Sequence, residues 1–201
     1  SATISIFKDY MEYGNFSLGR YQVKGEASIV FIGNLDVLGS QPHEKYDHLF
    51  EPLPEELIDT ALFERIHGFL PGWEMPKLTD RSFAEGYGFT LDYFAELLHL
   101  LRGSLLPTDP AARYGLHHAK GRDVEAIHKL VRGLMKLLHP DGRATDEELA
   151  EYVAFTVEAR QRVKDQLSVL APGEYPTYTI EYEIAGKRTA APPPERARRR
   201  T

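Results

Sequence analysis

Cysteine is absent from the 201 residues, which excludes disulfides and thiolate metal sites. That absence suits a reducing compartment, and the chain is expected in the cytoplasm. No run approaches the ~18 apolar residues of a membrane span, so no membrane partner is expected. The N-terminus shows no basic stretch followed by an apolar one, the pattern of a signal peptide. It begins at Ser1, without an initiator Met. Catalytic signatures are missing too. His-Glu-x-x-His does not occur, and His117 and His118, being adjacent, point apart on any one element. No serine lies in a Gly-x-Ser-x-Gly elbow. Gly186-Lys187-Arg188-Thr189 lacks the glycine that a phosphate-binding loop carries five positions earlier, and no strand and helix flank it. No metal site is expected.

What is present is ordinary in bulk and uneven in charge. With 42% hydrophobic and 27% charged residues, the chain can bury a sizeable core as one domain or slightly more. Lys187, Arg188, Arg196, Arg198, Arg199 and Arg200 face only Glu195 in the last fifteen residues, a net of +5. The total is -6, which leaves -11 for the rest. An acidic body does not read as a general nucleic-acid binder.

Residues 3–13 have helical spacing, with Ile4, Phe7 and Met11 on one face, and Gly14-Asn15 stops the pattern. Residues 16–24 read as a hairpin. They lead into the continuous apolar run 28–33, which predicts a strand buried on both faces, as in a parallel sheet covered by helices. After a loop over 36–52, Pro54 opens a helix that buries Leu57, Ile58, Ala61, Leu62 and Ile66. Gly68 to Trp73 reads as a short strand. Thr90 caps a helix burying Leu91, Phe94, Leu97, Leu98 and Leu101. Val124, Ile127, Val131, Leu134 and Leu138 form a second stripe, closed by Pro140-Asp141-Gly142. Thr145 and Glu148 make a capping box that opens a long helix towards Leu170. The alternation from Tyr175 to Ile184 predicts a half-buried strand with no partner after it, because a Pro- and Arg-rich stretch follows. Residues 187–201 are expected to be disordered.

Three residues stand out as chemistry. Asn34 ends the apolar run, where a neutral amide can orient an attacking water without adding negative charge. Gly33-Asn34 also reads as a simple turn. Arg65 ends a helix; there it can stabilise the dipole and pair with Glu64 or Asp59, or act as an arginine finger on a transferring phosphate. Arg122 opens the second helix of the later block and can reach a nucleotide from there. It also reads as a surface residue beside Asp123.

Several stretches together resemble a known family, the Lon-related BrxL proteins of bacterial BREX phage-defence systems. They are residues 8–17 (KDYMEYGNFS), 27–34 (ASIVFIGN), 50–54 (FEPLP), 59–74 (DTALFERIHGFLPGWE), 122–138 and 158–167 (EARQRVKDQL). The resemblance covers residues 5–184. It implies an α/β fold: the end of a parallel AAA+ sheet with its helices over 1–76, a helical lid over 77–171, and one strand beginning a truncated Lon-like domain at 172–186. It implies that Asn34 and Arg65 are catalytic, the latter acting on a neighbouring subunit. Arg122 would contact the nucleotide. Arg20, Tyr21 and Lys24 on the hairpin would grip a DNA or polypeptide polymer in the pore of a homo-oligomeric ring. ATP and magnesium are the cofactors implied for the full-length family. The phosphate-binding loop and the acidic magnesium-binding strand do not occur in this sequence, and upstream sequence is expected to be missing. A frameshift or early stop would account for the Pro/Arg end. The chain alone is therefore expected to bind ATP weakly and hydrolyse none. The other reading is a non-catalytic module that docks to ring subunits, or to nucleic acid through its basic end.

Overall fold

The computed structural model describes residues 2–39 and 41–192. Helix α1 (Ala2–Tyr13) ends at Gly14, whose positive φ of 67° turns the chain. Strands β1 (Asn15–Leu18) and β2 (Tyr21–Lys24) form the expected antiparallel hairpin, with Asn15 opposite Lys24 and Gly19 in the turn. Gly25 follows because a Cβ there would lie 2.4 Å from the Tyr10 ring.

The apolar run 28–33 departs from expectation. It is extended but enters no ladder, and Val30 and Ile32 are 77% and 89% exposed. A continuous apolar sequence states only that both faces are compatible with burial, and here no described strand lies beside it. Among the described residues every strand pairing is antiparallel, so the end of a parallel sheet is not formed. The run is instead laid along α1. Tyr10 donates to the Ala27 carbonyl (2.7 Å), and Phe7 meets Phe31 edge-on.

A two-residue ladder joins β3 (Val37–Leu38) to β4 (Gln41–Pro42). The helix expected after Pro54 is broken. One 3-10 turn covers Glu55–Leu57, and then helix α2 spans only Thr60–Glu64. The break follows from Asp59, whose carboxylate accepts from the Leu62 N–H (2.7 Å) and so starts a new helix. Leu62 and Phe63 are its buried residues. The stretch after it is not a strand; the Phe69 N–H donates to the Ala159 carbonyl (2.9 Å). Gly68 permits this approach, since a Cβ would sit 3.0 Å from that of Ala159.

Thr90 caps helix α3 (Leu91–Gly103) as read from the sequence, but the apolar face stays largely in solvent. No residue of α3 is buried, and only Leu98 and Leu101 are half-buried. Strand β5 (Tyr114–His117) precedes helix α4 (Arg122–Leu138), which buries Ile127, Val131 and Met135. The expected Leu138 is 55% exposed, because the stripe turns away at the end of the helix. The Thr145–Glu148 capping box opens helix α5 (Asp146–Leu170). Strand β6 (Glu181–Ile184) buries Tyr182 and Ile184. It does have partners: β5 on one edge and β7 (Lys187–Ala190) on the other. The expected disorder from residue 187 is thus corrected for 187–190. Ala185 and Gly186, both at positive φ, make the two-residue turn that allows it. The rest of that tail, residues 193–201, lies outside the described residues.

Helix α5 is the spine. Its first half packs Leu149, Val153 and Val157 against α4 and the β5–β6–β7 sheet. Its second half packs Val163 and Leu167 against Phe50 and Phe63, whose rings stack at 4.2 Å. Each such aliphatic side chain contributes at most about 1.5–3 kcal/mol.

Candidate functional site

Arg65 and Arg122 are far apart in sequence and together in space. Arg65 is the C-cap of α2, where its NH1 group donates to the Ala61 carbonyl (2.6 Å). Arg122 is the first residue of α4. Glu12, near the end of α1, joins them. Its Oε2 lies 2.9 Å from Arg65 Nε and 3.1 Å from an Arg122 guanidinium nitrogen. Arg122 NH1 also donates to Glu64 (2.6 Å). The sequence-level partners of Arg65 do other work. Glu64 serves Arg122, and Asp59 caps α2 and pairs with Lys8 at 3.3 Å.

The charges here are matched: Arg65, Arg122 and Lys129 face Glu12, Glu64 and Glu125. The first turn of α4 carries a partial positive charge, so Arg122 at that end is unfavourable by itself. Two carboxylates offset it. The Glu12 and Glu64 oxygens accept from donors that a phosphate oxygen could use equally well. Beside them is an open cleft with only about 20 Å³ of enclosed space, lined among others by His67, Glu125 and Lys129. Burial pushes the His67 imidazole below its ordinary pKa, and the charges of Lys129 and Arg160 push it further. The cleft has room for about one water and is far below the volume of a small-molecule site. Its donor set fits phosphate oxygens and not a whole nucleotide. Among the described residues, no three acidic or imidazole groups gather as a cation site.

A buried network fixes these two arginines. Arg160, on α5, is 1% exposed. Its Nε donates to Asp123 (2.8 Å), and its NH1 donates to the Ile66 carbonyl. Asp123 follows Arg122 and Ile66 follows Arg65, so one guanidinium holds the neighbour of each, through a carboxylate at Asp123 and a backbone carbonyl at Ile66. The other Asp123 oxygen accepts from the Tyr178 hydroxyl (2.8 Å), and the Lys164 ammonium sits 3.3 Å over the Tyr178 ring. Burial, and then the hydrogen bond to Asp123, hold the Tyr178 phenol well above its ordinary pKa. Burial lowers that of Lys164. Arg162 holds the following turn by pairing with Glu74 (3.2 Å).

Asn34 is exposed in the unpaired stretch and makes none of the ion pairs of this cluster. Arg20, Tyr21 and Lys24 are exposed on the hairpin.

The family model described as "Lon-like protease BrxL-like, ATPase domain" matches residues 1–181. This chain belongs to that BrxL-like family. Lon-like protease BrxL of Escherichia coli O9:H4 (strain HS) is 38% identical over 181 residues, covering 89% of this chain and 26% of the relative. Lon-like protease BrxL of Bacillus cereus (strain H3081.97) is 40% identical over 186 residues, covering 89% of this chain and 27% of the relative. The chain thus spans about a quarter of the length of these BrxL relatives. Among the described residues, no helix is long and apolar enough to cross a membrane.

Sequence reasoning reached the two arginines of this cluster but missed what holds them. Glu12 gave no signal, because an acidic residue near a helix end is common. The Arg160 clamp had one: around the apolar stripe Ala159, Val163 and Leu167 the other six residues of this run are polar, yet all nine are buried. A helix buried on its polar faces as well has to be lined there by hydrogen-bond partners.

Proposed function

We propose that this chain supplies the sensing and completing groups of an ATP-hydrolysing AAA+ site in a Lon-like ring protein of BREX phage defence. The observation that carries this reading is the convergence of Arg65 and Arg122 on one carboxylate oxygen at the positive end of α4. ATP, when bound with magnesium, supplies the phosphoryl group and part of its charge neutralisation. Arg122 senses the nucleotide, and Arg65 reaches the site of an adjoining copy, where its planar fork holds charge on the transferring phosphate. Asn34 orients the attacking water. The exposed Arg20, Tyr21 and Lys24 contact the DNA or polypeptide being moved. In this reading residues 1–76 belong to the ATPase core, 77–171 to its lid, and the strand after 172 to a Lon-like domain.

The test is a titration of the purified 201-residue chain with ATP and with pyrophosphate, following the arginine side-chain NMR signals. Both ligands are expected to shift Arg65 and Arg122 at millimolar concentration, without turnover. Unmoved arginine signals, or turnover by this chain alone, would overturn the reading.

A further inference from the structure

The stretch from Phe83 to Leu105 is apolar and uncovered. Phe83, Tyr87, Phe89, Leu91, Leu100 and Leu105 are each 66% exposed or more. The half-buried apolar residues of α3 are Leu98 and Leu101, and exposed Tyr93, Leu97 and Leu100 make a second apolar stripe beside them. A helix apolar on more than one face is ordinarily buried on more than one. Taking about 150–250 Å² per aromatic side chain, the five aromatics between 83 and 94 leave roughly 700 Å² open at their observed exposures. Monomers rarely leave patches above about 300–600 Å². With the leucines added, the area reaches the about 800 Å² per partner of a stable interface.

None of the described residues covers it. Residues 193–201 read Pro-Pro-Glu-Arg-Ala-Arg-Arg-Arg-Thr and bring almost no apolar surface. The charges of α3 suit self-association. Asp92 and Glu96 lie in its first half, and Arg102 is in its last turn, where Lys136 also reaches the Arg102 carbonyl (2.9 Å). A two-fold axis runs two such helices antiparallel, sets unlike halves against each other and opposes the helix dipoles.

We propose that this face binds the same face of a second copy of the chain, α3 against α3, in an isologous contact. The inference uses no nucleotide chemistry, so its failure leaves the arginine assignment standing, and the reverse holds too. The test is sedimentation equilibrium of the full chain across micromolar concentrations, beside Leu100→Glu and Phe89→Ser. Both positions are exposed, and unchanged circular dichroism confirms folding of the variants. A dimer is expected, with its dissociation constant raised about tenfold or more in each variant. A monomer throughout, or an assembly that both substitutions leave intact, overturns the proposal. So does a monomer that associates only with lipid vesicles.

Discussion

Replacing Arg160 by Met should be among the most damaging single changes outside the apolar core. The side chain is 1% exposed and Asp123 is 4% exposed. Removing the guanidinium leaves the Asp123 carboxylate with the Tyr178 hydroxyl at 2.8 Å and the Lys164 ammonium at 3.9 Å. It also strips the Ile66 carbonyl of its donor. Breaking a buried pair from one side costs about 3–5 kcal/mol, because the abandoned charge stays desolvated. For a chain of this length each kcal/mol moves the melting temperature by about 2–4 °C, so the midpoint should fall by about 6–20 °C. Urea unfolding followed by circular dichroism measures the change directly, with an unaltered slope expected. Arg160→Met combined with Asp123→Leu removes both charges, and replacing a buried pair by apolar groups is often neutral. The double variant should therefore lose less than the sum of the singles. A loss under about 1 kcal/mol for Arg160→Met, or plain additivity in the cycle, would refute the clamp.

Glu12→Gln removes the charge that Arg65 and Arg122 share, so pyrophosphate should bind about three- to tenfold more tightly in calorimetry. Gly68→Val forces a side chain against Ala159, already 3.0 Å from a modest Cβ, and should cost about 1–3 kcal/mol in the same urea assay. Acidification should destabilise the chain in two steps. Burial and the nearby Lys129 and Arg160 charges lower the His67 pKa in the folded state, so its contribution is complete above the unfolded value near 6.5 and is lost as pH falls through the folded one. Partial burial pushes Asp59 up, but the Leu62 N–H and Lys8 outweigh it and leave its pKa lowered. Its contribution is lost below about pH 4. Stability measured between pH 8 and 3 in wild type and His67→Leu should show the first step vanish in the variant.

The helices were legible where local chemistry decides them. Gly14, Thr90 and the Thr145–Glu148 box each set a helix boundary through a cap or a left-handed residue, and the structure follows them. The hairpin of residues 15–24 was legible for the same reason. Strand pairing was not. The strongest apolar run, 28–33, finds no partner among the described residues. The weakly alternating Lys187–Ala190 completes a sheet because a turn at Ala185-Gly186 returns it to β6. Pairing depends on which segment is near, and period alone carries no such information. The same limit hid Glu12 and Arg160, whose roles arise from contacts between residues 37 to 110 apart in sequence.

Helix α1 connects the residues on which the proposed chemistry depends. On one side Tyr10 and Phe7 hold the extended stretch that carries Asn34. On the other, Glu12 holds both guanidiniums. Lys8 adds a tie to Asp59 at the start of α2. Most of these ties are polar and partly exposed, each worth on the order of 1 kcal/mol or less. The Arg160 clamp behind them is buried and several times stronger. A phosphate entering the cleft would therefore compete with the Glu12 carboxylate long before it disturbed the backbone spacing of Arg65 and Arg122. That ordering of strengths keeps the two arginines at a fixed separation while leaving their charges available.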